Sequence, residues 1–448
     1  MNNKLGIRRW LMFILAGFVG QLAWAIENNY FNVYVYDVTQ NYAFIPVMTA
    51  ASAAAATITT LLMGAVSDRL GKRKLLISVG YILWGVSILS FAFLDPKSSL
   101  SIVANNVFLA GTMIVIMDCV MTFFGSTAND AAFNAFVTDN TNNNNRAKVE
   151  SVLSILPLIA LIAVILVAGF FVDVETGVEK RWDIFFYIFG GITLAVGIAS
   201  FFLAPKDVVQ PNKTESYWNN VIYGFRPSVI KKNPILYITL IAFMVFNIGL
   251  QVFMPYFILY VQNILGIKGD DFTISLGVVL LGASLITVVF GFFMDRIGKN
   301  RIMIPALIVG AIGGVVIFFI PANEGIGTKI GLIIGGIILM SGYLISTAVL
   351  GAKVRDYTPE KEVGLFQGIR MLFTVLIPMI IGPMVIAELI CRLGGNPYLN
   401  EYGVEVYPPN RWLFFVTGVI FALAIIPVII MIRREKKINE SKPEETIE

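Results

Sequence analysis

The 448-residue chain contains no histidine and only two cysteines, and charged residues make up just 14% of it. Without an imidazole, any proton handling falls to carboxylates. Cys119 and Cys391 fall at different membrane depths, one mid-helix and one near the outer surface, which argues against a disulfide. With no metal-ligand cluster and no nucleophile–base pair, the sequence points away from an enzyme and away from a bound cofactor. The net charge of +4 follows mostly from membrane sidedness and gives no reason to expect a nucleic-acid partner.

What the chain has instead is apolar surface: 57% of its residues are hydrophobic and its mean hydropathy is +0.78. That composition belongs to a polytopic membrane protein. A bilayer core of about 30 Å needs roughly 20 apolar residues per helix. Twelve such stretches begin near Trp10, Phe44, Leu75, Ser101, Val149, Asp183, Ile235, Phe272, Ile302, Lys329, Leu365 and Arg411. The first runs from Trp10 past Glu27 without a small-residue cleavage site, so it reads as a retained helix. With the N-terminus inside, the inner segments hold 25 of the 33 Lys and Arg residues, which predicts that both termini are cytoplasmic. The expected location is the plasma (inner) membrane.

Two motifs recur. MGAVSDRLGKRKLLI (63–77) matches GFFMDRIGKNRIMI (291–304), with Asp68, Arg69, Gly71 and Lys72 against Asp295, Arg296, Gly298 and Lys299 at an offset of 227. VTDNTNNNNRAKVESV (137–152) matches VRDYTPEKEVGLFQGI (354–369), with Asp139, Thr141 and Glu150 against Asp356, Thr358 and Gln367 at an offset of 217. Two motifs in the same order predict a duplicated six-helix unit, and so an all-α protein of two pseudo-symmetric bundles. The expected divisions are a first bundle (1–203), a linker (204–234), a second bundle (235–432) and a charged, disordered cytoplasmic tail (433–448). In the linker, Tyr217, Trp218, Val221, Ile222 and Phe225 share a helical face suited to the membrane surface, or the segment is a flexible tether.

The GKRK of residues 71–74 is not a phosphate-binding loop, because Val66 and Arg73 stand where Gly and Ser/Thr are needed. G-x-x-x-D-R-x-G-K-R-K from Gly64 to Lys74, with a degraded copy from Gly291 to Arg301, resembles the signature loop of the major facilitator superfamily. The resemblance implies that the loop aspartate binds helix-end amides and an arginine to hold an inner gate shut. Physics agrees, since a carboxylate is favoured at a helix N-terminus. The gate set is then Asp68, Arg69, Lys72, Arg73, Asp295 and Arg296, with Asp139 and Asp356 from the second loop pair and Arg370 on helix 11. Arg370 can instead extend to the inner surface or pair with Asp118 or Asp130. Arg73 has become Asn300 in the second copy.

Within the superfamily, GQLAWAIENNY (20–30) resembles helix 1 of sucrose transporters. IMD (116–118) and YVYDV (34–38) resemble the melibiose permease group. Both groups belong to the glycoside-pentoside-hexuronide:cation symporters. The chain departs from the sodium-using members at Ala56 and Thr60, where they carry aspartates; Thr57, Thr59 and Thr60 still offer oxygens.

Ten residues of helix cover about 15 Å, half the core. Counting from the helix starts puts Asp118 near the centre, Asn247 and Gln251 slightly beyond it, and Glu27 in the outer half. Asp118, Thr122, Gly125 and Asn129 form one stripe of helix 4; Gln21, Trp24, Asn28 and Asn32 form another on helix 1, with Glu27 at its edge. Such stripes imply a water-filled cavity between the halves. A charge at a helix centre costs on the order of 3 kcal/mol, so Asp118 and Glu27 are candidates for cation coupling. Gln21, Asn28, Asn129, Asn247 and Gln251 are candidates to bind hydroxyls, with Trp24 under the apolar face of a sugar; single amides also make interhelical hydrogen bonds. Burial favours a carboxylate's neutral form, so protonation can drive occlusion. The expectation is a monomeric symporter of a sugar or glycoside coupled to H+ or Na+. Its rivals are an exporter of amphipathic compounds on the same fold and a transporter-like membrane sensor.

Overall fold

The computed structural model describes residues 6–97, 101–103, 106–141, 146–174, 179–205, 207, 223–322, 325–359, 363–394 and 396–441. Among the described residues, twelve helical spans are long and apolar enough to cross a membrane: α1 Ile7–Asn29, α2 Phe44–Gly64, α3 Arg73–Phe93, α4 Val107–Asp139, α5 Val152–Phe171, α6 Trp182–Leu203, α7 Pro234–Ile264, α8 Gly269–Phe290, α9 Lys299–Phe318, α10 Ile326–Tyr357, α11 Gly368–Gly394 and α12 Trp412–Ile438. The chain is a nearly all-helical, multi-pass membrane protein. Most spans begin within a few residues of the positions expected. The exception is α4, which starts at Val107 rather than Ser101 because the Asn106 side chain caps it, accepting a hydrogen bond from the Leu109 amide (3.0 Å).

The chain divides into two compact units. The first comprises Met1–Tyr217, Lys268–Thr273 and Asn396–Pro408; the second comprises Trp218–Ile267, Ile274–Gly395 and Pro409–Glu448. In the first, α3 and α6 meet backbone to backbone. A Cβ on Gly85 would come 2.5 Å from the Leu194 amide nitrogen, and one on Gly197 would come 2.6 Å from that of Ile82. In the second, Gly313 and Gly342 do the same for α9 and α10, against Leu339 and Gly310. Small residues carry these interfaces because lipid tails are as apolar as leucine, so helix association rests on close packing.

The repeated loop glycines have a conformational reason. Gly71 ends the helix that contains α2 at φ +60°, its N–H donating to Ser67 O (3.0 Å), and Gly298 precedes α9 at φ +89°. Both values lie in the left-handed region that favours glycine.

A short hairpin, β1 (Tyr398–Leu399) and β2 (Glu405–Val406), pairs antiparallel with Tyr398 opposite Val406. It packs within the first unit. The Tyr398 hydroxyl lies 3.1 Å from that of Tyr36, and Asn400 Nδ2 donates to Gln40 O (3.0 Å). The sequence repeat does not anticipate this contribution from the α11–α12 connection.

The expected disordered tail is corrected for residues 433–441: the helix of α12 continues to Ser441. Glu435 explains the continuation. It accepts from Lys353 Nζ (2.8 and 2.9 Å) and from Asn300 Nδ2 (2.8 Å), and Lys353 is only 5% exposed. A charge-assisted, nearly buried pair orders the helix turn that supplies one partner. Residues 442–448 lie outside those described, as do Tyr217, Trp218, Val221 and Ile222 of the expected linker face. The described part of the linker holds a 3₁₀ turn, Tyr223–Phe225, and a short helix, Pro227–Lys232. The Tyr237 hydroxyl fixes the turn by donating to Gly224 O.

Glu435→Ala leaves the Lys353 ammonium buried without a counter-charge, with the Tyr357 hydroxyl (3.1 Å) as its remaining acceptor, so a loss of about 3 kcal/mol is expected. Thermal unfolding of the purified protein checks it, with Glu440→Ala, whose pairing with Lys436 is solvent-exposed, expected to have little effect.

Candidate functional site: a carboxylate pair in the first unit

In the first unit, α1 and α4 bring the two sequence-selected carboxylates into one buried neighbourhood. Thr122 lies one turn beyond Asp118 on α4, and its hydroxyl donates to Glu27 Oε1 on α1 (2.9 Å). Glu27 Oε2 is buried without a partner, and so is Asp118 Oδ1. Asp118 as a whole is 1% exposed. The Ser52 hydroxyl of α2 faces the Asp118 carboxylate while donating to Thr49 O (3.3 Å), and the Cys119 thiol lies beside both acids. Two carboxylates whose free oxygens have no donor are costly to bury unless something satisfies those oxygens. A proton or a cation held between them would do so.

The wall beside the pair is aromatic. Trp24 of α1 and Trp84 of α3 have ring centroids 5.0 Å apart at 55°. Gly125, one turn past Thr122, makes room for both: a Cβ there would come 2.7 Å from the Trp84 ring and 3.0 Å from Trp24. Trp84 is fully buried, its indole N–H without a partner, whereas Trp24 is only partly covered. Trp24 therefore retains surface that a flat apolar ligand face can use.

The lower part of α4 is not regular. Val107–Gly125 is α-helical, Ser126–Phe133 is a π-helix, and Asn134–Asp139 returns to α. The wider turn breaks the even stripe expected through Asn129. Asp130 gains a place near Glu27, close enough to interact electrostatically, with the Ser126 hydroxyl beside it. A charged residue at membrane depth was the one sequence signal for Asp130; helical periodicity hid its direction.

Asn129 turns away from the pair. Its Nδ2 donates to the Tyr81 hydroxyl (2.9 Å), which donates to Ala16 O (2.6 Å), tying α4 to α3 and α1. Gly20 leaves space for this bridge, since a Cβ there would collide with the Asn129 amide. Asn129 is 4% exposed, so the geometry favours an interhelical strut over a substrate ligand. Asn28 is exposed and donates to Trp24 O (2.8 Å), its side-chain oxygen remaining open, and Gln21 is half-buried. In the second unit, Asn247 Nδ2 donates to Thr374 O of α11 (2.9 Å). Half-buried Gln251 lies where α7 and α11 approach closely, with a Cβ on Gly382 coming 2.6 Å from its own Cβ. On α2, the Thr57 and Thr60 hydroxyls are buried without partners.

The gate residues sort by unit. In the first, Arg73 is 5% exposed, donating from Nε to Asp139 Oδ2 (3.1 Å) and from its guanidinium to Ser67 Oγ, while Arg69 and Lys72 are exposed. In the second, Lys299 Nζ donates to Asp356 Oδ2 (2.6 Å). The repeat-related aspartates thus both hold a loop cation, but Lys299 matches Lys72, and Asn300, in the place of Arg73, turns to Glu435 instead. Arg370 is half-buried, with the like charge of Arg355 nearby. The side chains of Asp68, Asp295 and Arg296 lie outside those described.

Twelve apolar helices carrying paired loop motifs and intramembrane carboxylates define a transporter. The family model of the Major Facilitator Superfamily matches residues 9–352 and 248–448, and the chain belongs to that superfamily. No curated protein matches the chain. Among solved structures, a nucleoside transporter NupG mutant aligns at 13% identity with a TM-score of 0.71, over 94% of this chain and 99% of its own. A D-xylose–proton symporter aligns at 15% identity and 0.69, over 93% and 97%. A bacterial homologue of the human lysosomal transporter Spinster aligns at 12% and 0.67, over 96% and 98%. At these identities the likeness is one of fold.

Asn129→Ala and Tyr81→Phe are each expected to cost about 1–3 kcal/mol, because each leaves a buried polar group without its partner. Their double mutant should lose less than the sum, since they break one shared bridge. Thermal unfolding measures both, and transport affinity in the surviving Asn129→Ala protein should stay near wild type.

Proposed function

We propose that the chain imports a neutral sugar or related polyhydroxy compound by cation-coupled symport through alternating access. The observation that carries this reading is the Glu27–Asp118 pair, in which each acid keeps a buried oxygen without a donor. Carboxylates in the apolar interior of a membrane protein are expensive and usually functional. A proton taken up by the pair would satisfy both oxygens, and the resemblance to sodium-using symporters fails at Ala56 and Thr60, where those carry aspartates, which favours H+ over Na+ as the coupling ion. Thr122 holds Glu27 through Oε1, leaving Oε2 and the Asp118 carboxylate to exchange the proton.

Partly covered Trp24, adjoining the pair, suits the apolar face of a sugar ring. Gln21 and Asn28 in the first unit and Gln251 in the second are the candidate hydroxyl ligands. The fold shared with a D-xylose–proton symporter is compatible with such a solute. The two loop cation–aspartate contacts, Arg73–Asp139 and Lys299–Asp356, are the proposed inner locks. A plasma (inner) membrane location, cytoplasmic termini and function as a monomer belong to the same reading.

Uptake of a panel of labelled sugars and glycosides into proteoliposomes, at varied pH and sodium, tests it. Wild type should show uptake driven by an inward proton gradient. Asp118→Asn and Glu27→Gln should each lose at least about tenfold of the gradient-driven uptake, equivalent to about 1.4 kcal/mol, while solute exchange without a gradient persists. Gradient dependence unchanged in both variants would sink the coupling role, and uptake favoured only from inverted vesicles would indicate export.

A further inference from the structure

The second unit carries a groove lined by none of the residues proposed for transport. It lies between α9 and α12, has a volume of about 660 Å³, and is lined by Ile308, Ile312, Val315, Phe319, Val419 and Ala422 among other apolar residues. Its floor is nearly bare backbone. A Cβ on Gly418 would come 2.8 Å from Ala311 O, and one on Gly314 would come 2.6 Å from Phe414 O. The helices therefore touch along this line, and the larger side chains stand up on either side. Phe319 is 71% exposed and Ile312 51%, so the walls open outward from the bundle.

One end of the groove is chemically different. Arg411 lies just before α12, its guanidinium carbon 5.0 Å from the Phe318 ring centroid. Phe318 in turn packs on Phe319 (5.0 Å), Trp412 (4.8 Å) and Phe415 (5.3 Å), and Phe319 and Phe415 line the groove. Arg411 is exposed, and among the described residues no carboxylate pairs with it. Aromatic residues with an adjacent cation are the usual chemistry of the membrane–water boundary. From that end the groove follows α9 from Phe319 to Ile308, eleven residues or about 16 Å. That is about half of a core of about 30 Å, the depth of one leaflet.

We propose that this groove binds a single anionic phospholipid, one acyl chain lying along α9 and α12 and its phosphate held by Arg411. An apolar channel one leaflet deep matches an acyl chain, and a spare cation at its boundary end matches an anionic headgroup. The site would favour phosphatidylglycerol over phosphatidylcholine.

Native mass spectrometry of the detergent-purified full chain, titrated with each of these lipids, reads the number and strength of retained lipids. Wild type should retain phosphatidylglycerol about fivefold more strongly, the scale of one cation near an anionic surface. Arg411→Gln should remove that preference, lowering phosphatidylglycerol retention more than that of phosphatidylcholine, whose own choline cation already offsets its phosphate. Ala422→Phe, at an exposed groove position, should lower retention of both lipids, and Val419→Trp provides a second filling variant should the first unfold. Equal retention of the two lipids by wild type, an undiminished preference in Arg411→Gln, or unchanged retention in a folded groove-filling variant would each overturn the proposal. So would a dimer that Ala422→Phe disrupts in the absence of lipid, which would give the groove to a second copy of the chain.

Discussion

A carboxylate surrounded by apolar helices must find its hydrogen-bond donors and counter-charges inside the protein, because no bulk water is there to supply them. Glu27 and Asp118 meet that constraint only halfway: Thr122 serves one oxygen of Glu27, Ser52 faces Asp118, and one oxygen on each acid has no donor. Much of the first unit near them is arranged around this shortfall. Gly125 lets two indoles close over the pair's flank, and the π-turn in α4 brings Asp130 near. The Asn129–Tyr81–Ala16 chain then pins α4 to its neighbours, so that the acids are held by the helices they sit on.

The same constraint produces different solutions at the repeated loops. The repeat places one aspartate at the end of α4 and another at the end of α10, and each holds a cation from the loop of its own unit. The cation changed from arginine to lysine and moved by one residue. Asn300, which stands in the arginine's place, binds Glu435 instead, and Glu435 also accepts from Lys353. This second cluster gives α12 its extra turns. A substitution in a repeat is thus answered by new pairing elsewhere in the same unit, because a buried ammonium cannot be left alone.

Much of the architecture was legible in the residues. Span number and position followed from bilayer thickness, which sets how long an apolar run must be. The start of α4 was misplaced because an apolar run begins before Asn106 supplies the cap. The tail was misjudged because Glu435 looks solvated in a row of charges until Lys353 and Asn300 are brought to it. The even stripe through Asn129 does not hold because the segment around it widens to a π-helix.

The sequence by itself determined what kind of protein this is: a twelve-span, duplicated membrane chain of the major facilitator type, with acids at membrane depth. Length, hydropathy and repeated motifs are local or periodic quantities, and they survive without coordinates. Only the tertiary structure decided which polar groups are already satisfied and which are not. Asn129 and Asp118 are both polar residues deep in α4, but one spends its amide on Tyr81 and the other keeps an oxygen without a donor. That difference depends on partners contributed by distant segments of the chain, and on distances of a few tenths of an ångström that no periodicity encodes.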